Sequence, residues 1–470
     1  MGYIKHVTLL CFALSAIALY SYFRTDSYAF NAFPASLNSV YDKAGVDHFV
    51  NLVISEEDAI LNAAVIYIDT NWETSFEPML IESIYFTQNR TFSKKLLHLL
   101  ARKTGKDFGA DLDRWHHWLW NKNTTYTKKY FEFKAKVHQF IDPKFYKYFA
   151  DRADQSTIRL DEVIWGGVLQ DGIPPLRNPQ MIKAGEAQYL KDNNVVFGIE
   201  VNGDARAYPK RILAWHEMFV DTVGDVPVAG VYCTLCGTVI LYKTKQNGVN
   251  HTLGTSGFLY RSNKLMYDKE TQSLWSTLEG EPVIGPLVGK EIKLEYLSVV
   301  TTTWGEWKRR HPDTSVLSLN TGHRRDYGEG VAYQQYFATD DLMFNIPEID
   351  TRLNNKDEIL AIRIPEKTAT NLAISSKFLR KNPIYTSKLG PVSFAVFTDK
   401  TGAHRVYDTG GLTFTRYDRN SEVIDSMGIR WTLYENEMVS DEGKKLIRIP
   451  THNAFWFGYQ AAFPETTLIK

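Results

Sequence analysis

Cysteine is scarce in this chain, with three among 470 residues. That scarcity excludes a scaffold built from disulfides and makes any role of the three local. A surplus of one charge is also missing: 54 Lys and Arg face 54 Asp and Glu. Without a basic excess to neutralise phosphates, no nucleic-acid partner is expected. Long apolar runs are absent apart from one near the start, which excludes a multi-pass membrane protein. No Walker loop or dinucleotide fingerprint occurs, and His216-Glu217 is not followed by a His at zincin spacing. Leu253-Gly-Thr-Ser-Gly257 approaches a nucleophile elbow, but Phe258 stands where GxSxG needs glycine.

The apolar run is Val7 to Tyr20, with Lys5 before it and Arg24 after it. A basic start followed by a short apolar stretch reads as a signal peptide or membrane anchor over residues 1–24, and Ala16-Ile17-Ala18 offers a small-residue cleavage site. The expected location is membrane-anchored through residues 7–23, facing the periplasm or cell exterior, or secreted if the segment is cleaved. Cys11 lies inside this segment and is a bystander there, so the exported part keeps only Cys233 and Cys236.

A polar linker over 25–50 leads into a helical domain over 51–150. Ser55 with Asp58 has the form of a capping box, and Ile60, Leu61, Ala64, Val65 and Ile68 follow at helical spacing. Further amphipathic segments span 75–87, 91–104 and 111–121. Short helices in series suggest stacked pairs. The stretch from Thr104 to Trp115, with Trp118 one turn later, resembles HEAT-like repeats, which implies a protein partner for this domain. Trp115 and Trp118 share a helix face and are read as core, whereas the adjacent His116 and His117 point to different sides and make a poor metal pair.

From about residue 158 the pattern becomes β-rich, with short β-branched runs such as Val195 to Val201, Pro227 to Tyr232 and Val239 to Tyr242 bounded by turn residues. This half contains itself twice. Val196 to Val201 matches Ile359 to Ile364, Pro227-Val228 matches Pro391-Val392, Asp268 and Trp275 match Asp425 and Trp431, and Trp304 and Trp307 match Trp456 and Tyr459, in the same order. The fold class is therefore α+β: an N-terminal helical repeat-like domain, then a mainly β, internally duplicated domain with copies over 158–345 and 346–470.

Matching the copies on Pro227 and Pro391 sets Phe397 opposite Cys233 and Lys400 opposite Cys236. The second copy builds its unit without the thiols, which favours a functional Cys233-Thr-Leu-Cys236. Two cysteines at this spacing suit a reversible disulfide, a soft metal site for copper or zinc, or an inert structural disulfide. A metal would recruit further ligands, and His216, His251 and Met266 are the candidates. His216 and Met266 lie in the same copy as the cysteines and no base for thiol exchange stands out, so the metal set Cys233, Cys236, His216 and Met266 is set slightly ahead of redox catalysis by Cys233 and Cys236.

The region from about 158 to 470 resembles the DUF3179 family. The residues that carry the likeness include Ile173-Pro-Pro-Leu, Ala205 to Pro209, His216-Glu217, Tyr232 to Gly237, Gly254 to Asn263, Leu265 to Asp268, Ser273 to Trp275, Gly280-Glu-Pro282, Trp304 and Arg325 to Gly328. Family members often read Cys-Pro-Leu-Cys where this chain has Cys-Thr-Leu-Cys, and no activity is implied by the resemblance. Within the dense block, Ser256, Arg261 and Asp268 are candidate cofactor-binding residues on a pocket wall facing the cysteines, with a solvated loop as the plainer account. Two alternatives of other classes stand beside the CxxC reading: a non-catalytic interaction scaffold that uses the helical domain, and a hydrolase drawing on Ser256, Asp268 or Asp326.

Overall fold

The structure, a computed structural model, describes residues 45–123 and 126–470. The expected export segment lies outside them, and no helix among the described residues is long and apolar enough to cross a membrane. The chain divides into a helical unit, residues up to 154 with 159–172, and a β-rich unit, residues 155–158 with 173–470.

The helical unit contains α1 (Val46–Ile54), α2 (Asp58–Thr70), α3 (Glu77–Phe86), α4 (Arg90–Thr104), α5 (Leu112–Trp120), α6 (Lys128–Gln139) and the single turn α7 (Tyr146–Phe149). The segments expected at 75–87, 91–104 and 111–121 correspond to α3, α4 and α5. The linker is shorter than expected, because Val46, Phe49, Val50 and Leu52 bury one face of α1. The expected capping box is not formed. Ser55 instead closes α1, its N–H donating to Asn51 O, and its hydroxyl accepts from Glu57 N, so that Glu57 precedes α2. Helix α6 was hidden in the sequence by polar residues on its buried side: Lys134 is 2 % exposed and paired with Glu82 at 2.8 Å. Trp115 is fully buried, packs edge-on to Trp118 and donates its indole N–H to Gly109 O.

In the β-rich unit the first copy contributes, besides shorter strands, β1 (Val195–Val201), β2 (Asp204–Pro209), α8 (Lys210–His216), β3 (Met218–Val223), β4 (Val226–Cys233), β5 (Thr238–Lys243), β6 (Leu253–Tyr260), β7 (Asn263–Asp268), β8 (Leu274–Ser276), β9 (Pro282–Ile284), β10 (Val300–Thr303), α9 (Trp304–Arg310) and β11 (Ser315–Leu317). The second contributes β12 (Glu358–Ile362), β13 (Leu372–Ser375), α10 (Ser376–Lys381), β14 (Ile384–Leu389), β15 (Val392–Thr398), β16 (His404–Asp408), β17 (Phe414–Tyr417), β18 (Glu422–Asp425), β19 (Arg430–Leu433), β20 (Glu437–Ser440), β21 (Lys445–Ile447), β22 (Thr451–Phe455), α11 (Trp456–Ala462) and β23 (Thr467–Ile469).

The duplication is visible in the strand pairing. In the first copy β1 lies between antiparallel β2 and β10, and β11 joins β2 in parallel. In the second, β12 lies between antiparallel β13 and β22, and β23 joins β13 in parallel. A helix follows the second strand in each copy, and Trp304 and Trp456 each open the helix that precedes the parallel strand. Next comes an antiparallel meander, β3-β4-β5 in one copy and β14-β15-β16 in the other. A second meander follows, running β6 to β9 and β17 to β21. Each of these sheets stays within one copy. The matched Asp residues do matched work at the end of β7 and of β18. Asp268 Oδ1 accepts from the N–H groups of Glu270 and Thr271, and Asp425 Oδ1 from those of Met427 and Ile429.

Candidate functional site

The strands β4 and β5 pair as far as Cys233 and Thr238, leaving Thr234, Leu235, Cys236 and Gly237 as the connection. Gly237 adopts a φ of 59°, a backbone region cheap only for glycine at a tight turn. The geometry brings the two cysteines together as a disulfide, with Cα atoms 5.6 Å apart. Both are buried, at 2 % and 1 % exposure. Leu235, Leu259, Tyr336, Ile346, Phe455 and Phe457 pack over them. The turn is pinned from both sides: Tyr336 Oη donates to Leu235 O at 2.7 Å, and Phe455 N donates to Cys236 O at 2.8 Å.

Beside the disulfide lies a charged pair that the sequence reading passed over. Glu217 closes α8 in the left-handed conformation, φ 55°, its N–H donating to Leu213 O. Glycine or asparagine is the usual residue there, and holding a glutamate in that region costs about 1 kcal/mol or more. The conformation is offset by what the side chain reaches. Its Oε1 accepts from Thr234 Oγ1 at 2.6 Å and from Tyr333 Oη at 3.2 Å, and its Oε2 lies 2.5 Å from Lys264 Nζ. The Glu217 and Lys264 side chains are 9 % and 7 % exposed. A buried ion pair is thus tied through Thr234 to the middle of the CxxC turn. Burial, and then the Glu217 carboxylate, hold the Tyr333 phenol well above its ordinary pKa, so it stays a donor. A proline at position 234 could not make the Thr234 contact.

His216 does not turn to the sulfurs. Its Nδ1 is 2.9 Å from Pro174 O, which can only accept, so Nδ1 carries the proton and Nε2 accepts from Tyr327 Oη at 2.6 Å. Burial pushes its pKa down to about 4, leaving a neutral imidazole with both nitrogens engaged. Met266 is fully buried in a separate cluster with Met218, Ile240 and Trp275. His251 faces Asp268, Nδ1 to Oδ2 3.6 Å. The expected metal set is therefore not assembled: its sulfurs are bonded to each other, its imidazole is occupied, and its methionine serves the core. Among the described residues no group of three or more His, Cys, Asp or Glu is placed to hold a metal ion.

The expected pocket wall is likewise occupied with its own backbone. Ser256 is fully buried, donates to Leu265 O at 2.6 Å and accepts from Phe258 N. Arg261 Nη1 donates to Ala461 O at 3.0 Å, and Asp268 caps its turn. Asp326 is exposed and its Oδ1 accepts from Gly328 N. Lys264 carried a readable signal. It shares strand parity with Met266 and Asp268 on β7, and a lysine on a buried face calls for an acid.

Residues 170–466 match the family described as "Protein of unknown function (DUF3179)". No curated protein and no solved structure matches the chain.

Proposed function

The chain belongs to the DUF3179 family, to which no function is assigned, and from that starting point we propose that Cys233 and Cys236 are a reversible dithiol–disulfide site in an exported, membrane-tethered protein. The observation that carries this reading is the second copy's version of the turn. There β15 and β16 pair as far as Thr398 and His404 without any sulfur. The connection is held instead by the Asp399 carboxylate, whose Oδ1 accepts from Thr401 N at 2.8 Å and Ala403 N at 3.0 Å. A disulfide is thus not a requirement of the architecture. It also adds little as a staple, because a ring closed over four residues removes chain entropy worth only about 2 kcal/mol. What it does supply is a second oxidation state.

The exchange runs with a dithiol partner as reductant. A partner thiolate attacks one sulfur and the S–S bond breaks, its electron pair leaving on the other sulfur, which takes up a proton. The partner's second thiolate then attacks the partner's own sulfur in the mixed disulfide and releases the second cysteine as a thiolate, which takes up the second proton. Two electrons and two protons have then reached the chain, and the partner holds the disulfide. Access would come by moving the stretch 321–346, whose Tyr333, Tyr336, Phe337, Leu342, Phe344 and Ile346 pack in the cluster that holds the cysteines. Apart from the short helix Gln334–Ala338 it forms no regular secondary structure, and it is tied down by Tyr327, Tyr333 and Tyr336. Such a segment opens at less cost than a paired strand.

The test is a dithiothreitol or glutathione redox titration with alkylation and mass counting of thiols, run beside hydrogen exchange. The expected outcome is two thiols appearing together while the β-sheet amides stay protected. Thiols that appear only on unfolding would make the bond an inert staple, and stoichiometric copper or zinc on the native pair would return it to the metal reading.

A further inference from the structure

Asn263 sits at the tip of the hairpin formed by β6 and β7, where Arg261 and Ser262 both have positive φ, 49° and 61°, without a glycine. Three side chains clamp that tip. Arg261 Nη1 donates to Ala461 O, Ser262 Oγ to Phe344 O at 2.9 Å, and Asn263 Nδ2 to Gly458 O at 2.8 Å. Asn263 Nδ2 also donates to Arg261 O at 3.1 Å. Both partners of the amide nitrogen are carbonyl oxygens, which fixes the orientation of the amide: nitrogen towards Gly458 and Arg261, oxygen away from them.

That oxygen is left over. Asn263 is 6 % exposed, and its Oδ1 is buried with no hydrogen-bond partner among the described residues. A buried acceptor without a donor is costly, so its presence calls for a reason. Its place supplies one. A Cβ built on Gly458 would lie 2.7 Å from Cys236 Cβ and 3.4 Å from Asn263 Oδ1. The bare glycine therefore lets Cys236 approach closely, and the unsatisfied oxygen borders the same glycine. In the disulfide Cys236 Sγ has no proton to give. Reduction creates an S–H group there, a weak donor with Cys233 O 3.9 Å from the sulfur and Asn263 Oδ1 as the acceptor that lacks a partner.

We propose that Asn263 is a positioning residue for the redox reaction, its Oδ1 accepting a hydrogen bond from the Cys236 thiol in the dithiol state. The assignment rests on the redox reading above and gives it a direction. The partner thiolate bonds to Cys233 Sγ, the S–S bond breaks with its electron pair on Cys236 Sγ, and that sulfur takes and keeps a proton from water, its S–H then donating a hydrogen bond to Asn263 Oδ1. The acceptor is unpaired in the oxidised state and paired in the reduced one, so it favours reduction.

The experiment measures the equilibrium of the full chain with dithiothreitol for the wild type, Asn263→Leu and Arg261→Ala. The last loosens the same hairpin tip while leaving Oδ1 in place. Asn263→Leu is expected to shift the equilibrium towards the disulfide by about tenfold, which for a two-electron couple is about 30 mV, and Arg261→Ala by less than about twofold. In wild-type protein with 13C-labelled asparagine, the Asn263 Cγ resonance is expected to move on reduction, a readout that needs no variant. Equal equilibrium constants in all three proteins, an equal shift in Arg261→Ala, or an unmoved Cγ resonance in a fully reduced, folded protein would each overturn the role of Asn263 and leave the redox reading standing. A wild-type disulfide that resists reduction until the protein unfolds would overturn both.

Discussion

The pair formed by Glu217 and Lys264 allows the sharpest energetic prediction. Each partner alone in that site is a charge taken out of water, and breaking a buried pair from one side costs about 3–5 kcal/mol because the remaining charge has no counter-ion. Lys264→Met leaves the Glu217 carboxylate with two hydroxyl donors, Thr234 at 2.6 Å and Tyr333 at 3.2 Å, so its cost belongs near the lower end, about 3 kcal/mol. Glu217→Gln keeps an oxygen for those hydroxyls but takes the carboxylate charge away from the buried Lys264 ammonium, with a similar cost of about 3 kcal/mol. The double variant leaves no buried charge, and its cost should fall at least about 2 kcal/mol below the sum of the singles. Thr234→Val, which removes one hydrogen bond from the carboxylate, should cost about 1–2 kcal/mol. Because the chain has two units, a global melting curve would mix them. The proper readout is urea-dependent hydrogen exchange of peptides spanning β4 and β5, which border the CxxC turn. Single variants that each cost under about 1 kcal/mol, or a double variant equal to their sum, would refute the view that this ion pair is desolvated and coupled to the turn.

Three further predictions follow from the same geometry. Gly458→Ala places a methyl 2.7 Å from Cys236 Cβ, and should destabilise the β-rich unit by about 1–3 kcal/mol in the same exchange experiment; a neutral result would mean that α11 does not bear on the disulfide. Replacing Cys233 and Cys236 together by Ala should cost about 2 kcal/mol and leave the unit folded by near-ultraviolet circular dichroism; loss of the fold would make the bond structural and sink the redox proposal. Burial lowers the pKa of His216 and His404 to about 4 and of His452 to about 3. The unfolded chain therefore takes up protons near pH 6.5 that the folded chain refuses. Stability should be full above that pH and fall as pH drops towards 4, by up to about 1.4 kcal/mol per pH unit for each histidine. A urea midpoint for exchange of β-rich-unit peptides that stays flat between pH 6.5 and 4.5 would contradict the burial of these rings in neutral form.

Local signals were legible in the sequence wherever one residue type does one job. The duplication could be read because tryptophans and turn aspartates recur in order, and Asp268 and Asp425 do hold equivalent turns. The CxxC turn could be read because a strand ends at Cys233 and Gly237 turns the chain back. What failed were inferences that needed the third dimension. His216 invited a metal reading, yet it ends α8 and is fixed between Pro174 and Tyr327, residues far from it in sequence. Met266 has the right chemistry for soft metal binding but belongs to the core, opposite Trp275 on the neighbouring strand. Glu217 stands out in the sequence as half of a failed zincin motif and as part of the family likeness, but its ion pair does not, because its partners Lys264, Thr234 and Tyr333 are scattered along the chain. Helix α6 escaped for a related reason: its buried Lys134 and fully buried His138 break the apolar period that marks a helix face.

The two copies solve one mechanical problem with different chemistry. Both must hold the connection between the second and third strands of a meander against the interior. In the second copy the solution is electrostatic. Asp399 is fully buried, bonds the turn's own N–H groups, and is paired with Arg405 at 3.1 Å, which in turn meets Glu435 at 2.7 Å. That arrangement has one chemical state at any pH where the carboxylates are ionised, and no change of redox conditions alters it. In the first copy the charged pair has moved off the turn. Glu217 and Lys264 hold it through Thr234, while the turn itself is closed by sulfur. If closure alone were the task, the ion pair would make the disulfide redundant, and the carboxylate solution next door shows that sulfur is not needed for closure. On the redox reading, an ion pair that holds the turn independently of the S–S bond would let the bond open without the turn collapsing, since Thr234, Leu235 O and Cys236 O are held by Glu217, Tyr336 and Phe455. A turn secured in this way is suited to a disulfide that is made and broken, and the unpaired oxygen of Asn263 beside Cys236 marks where the released thiol would settle.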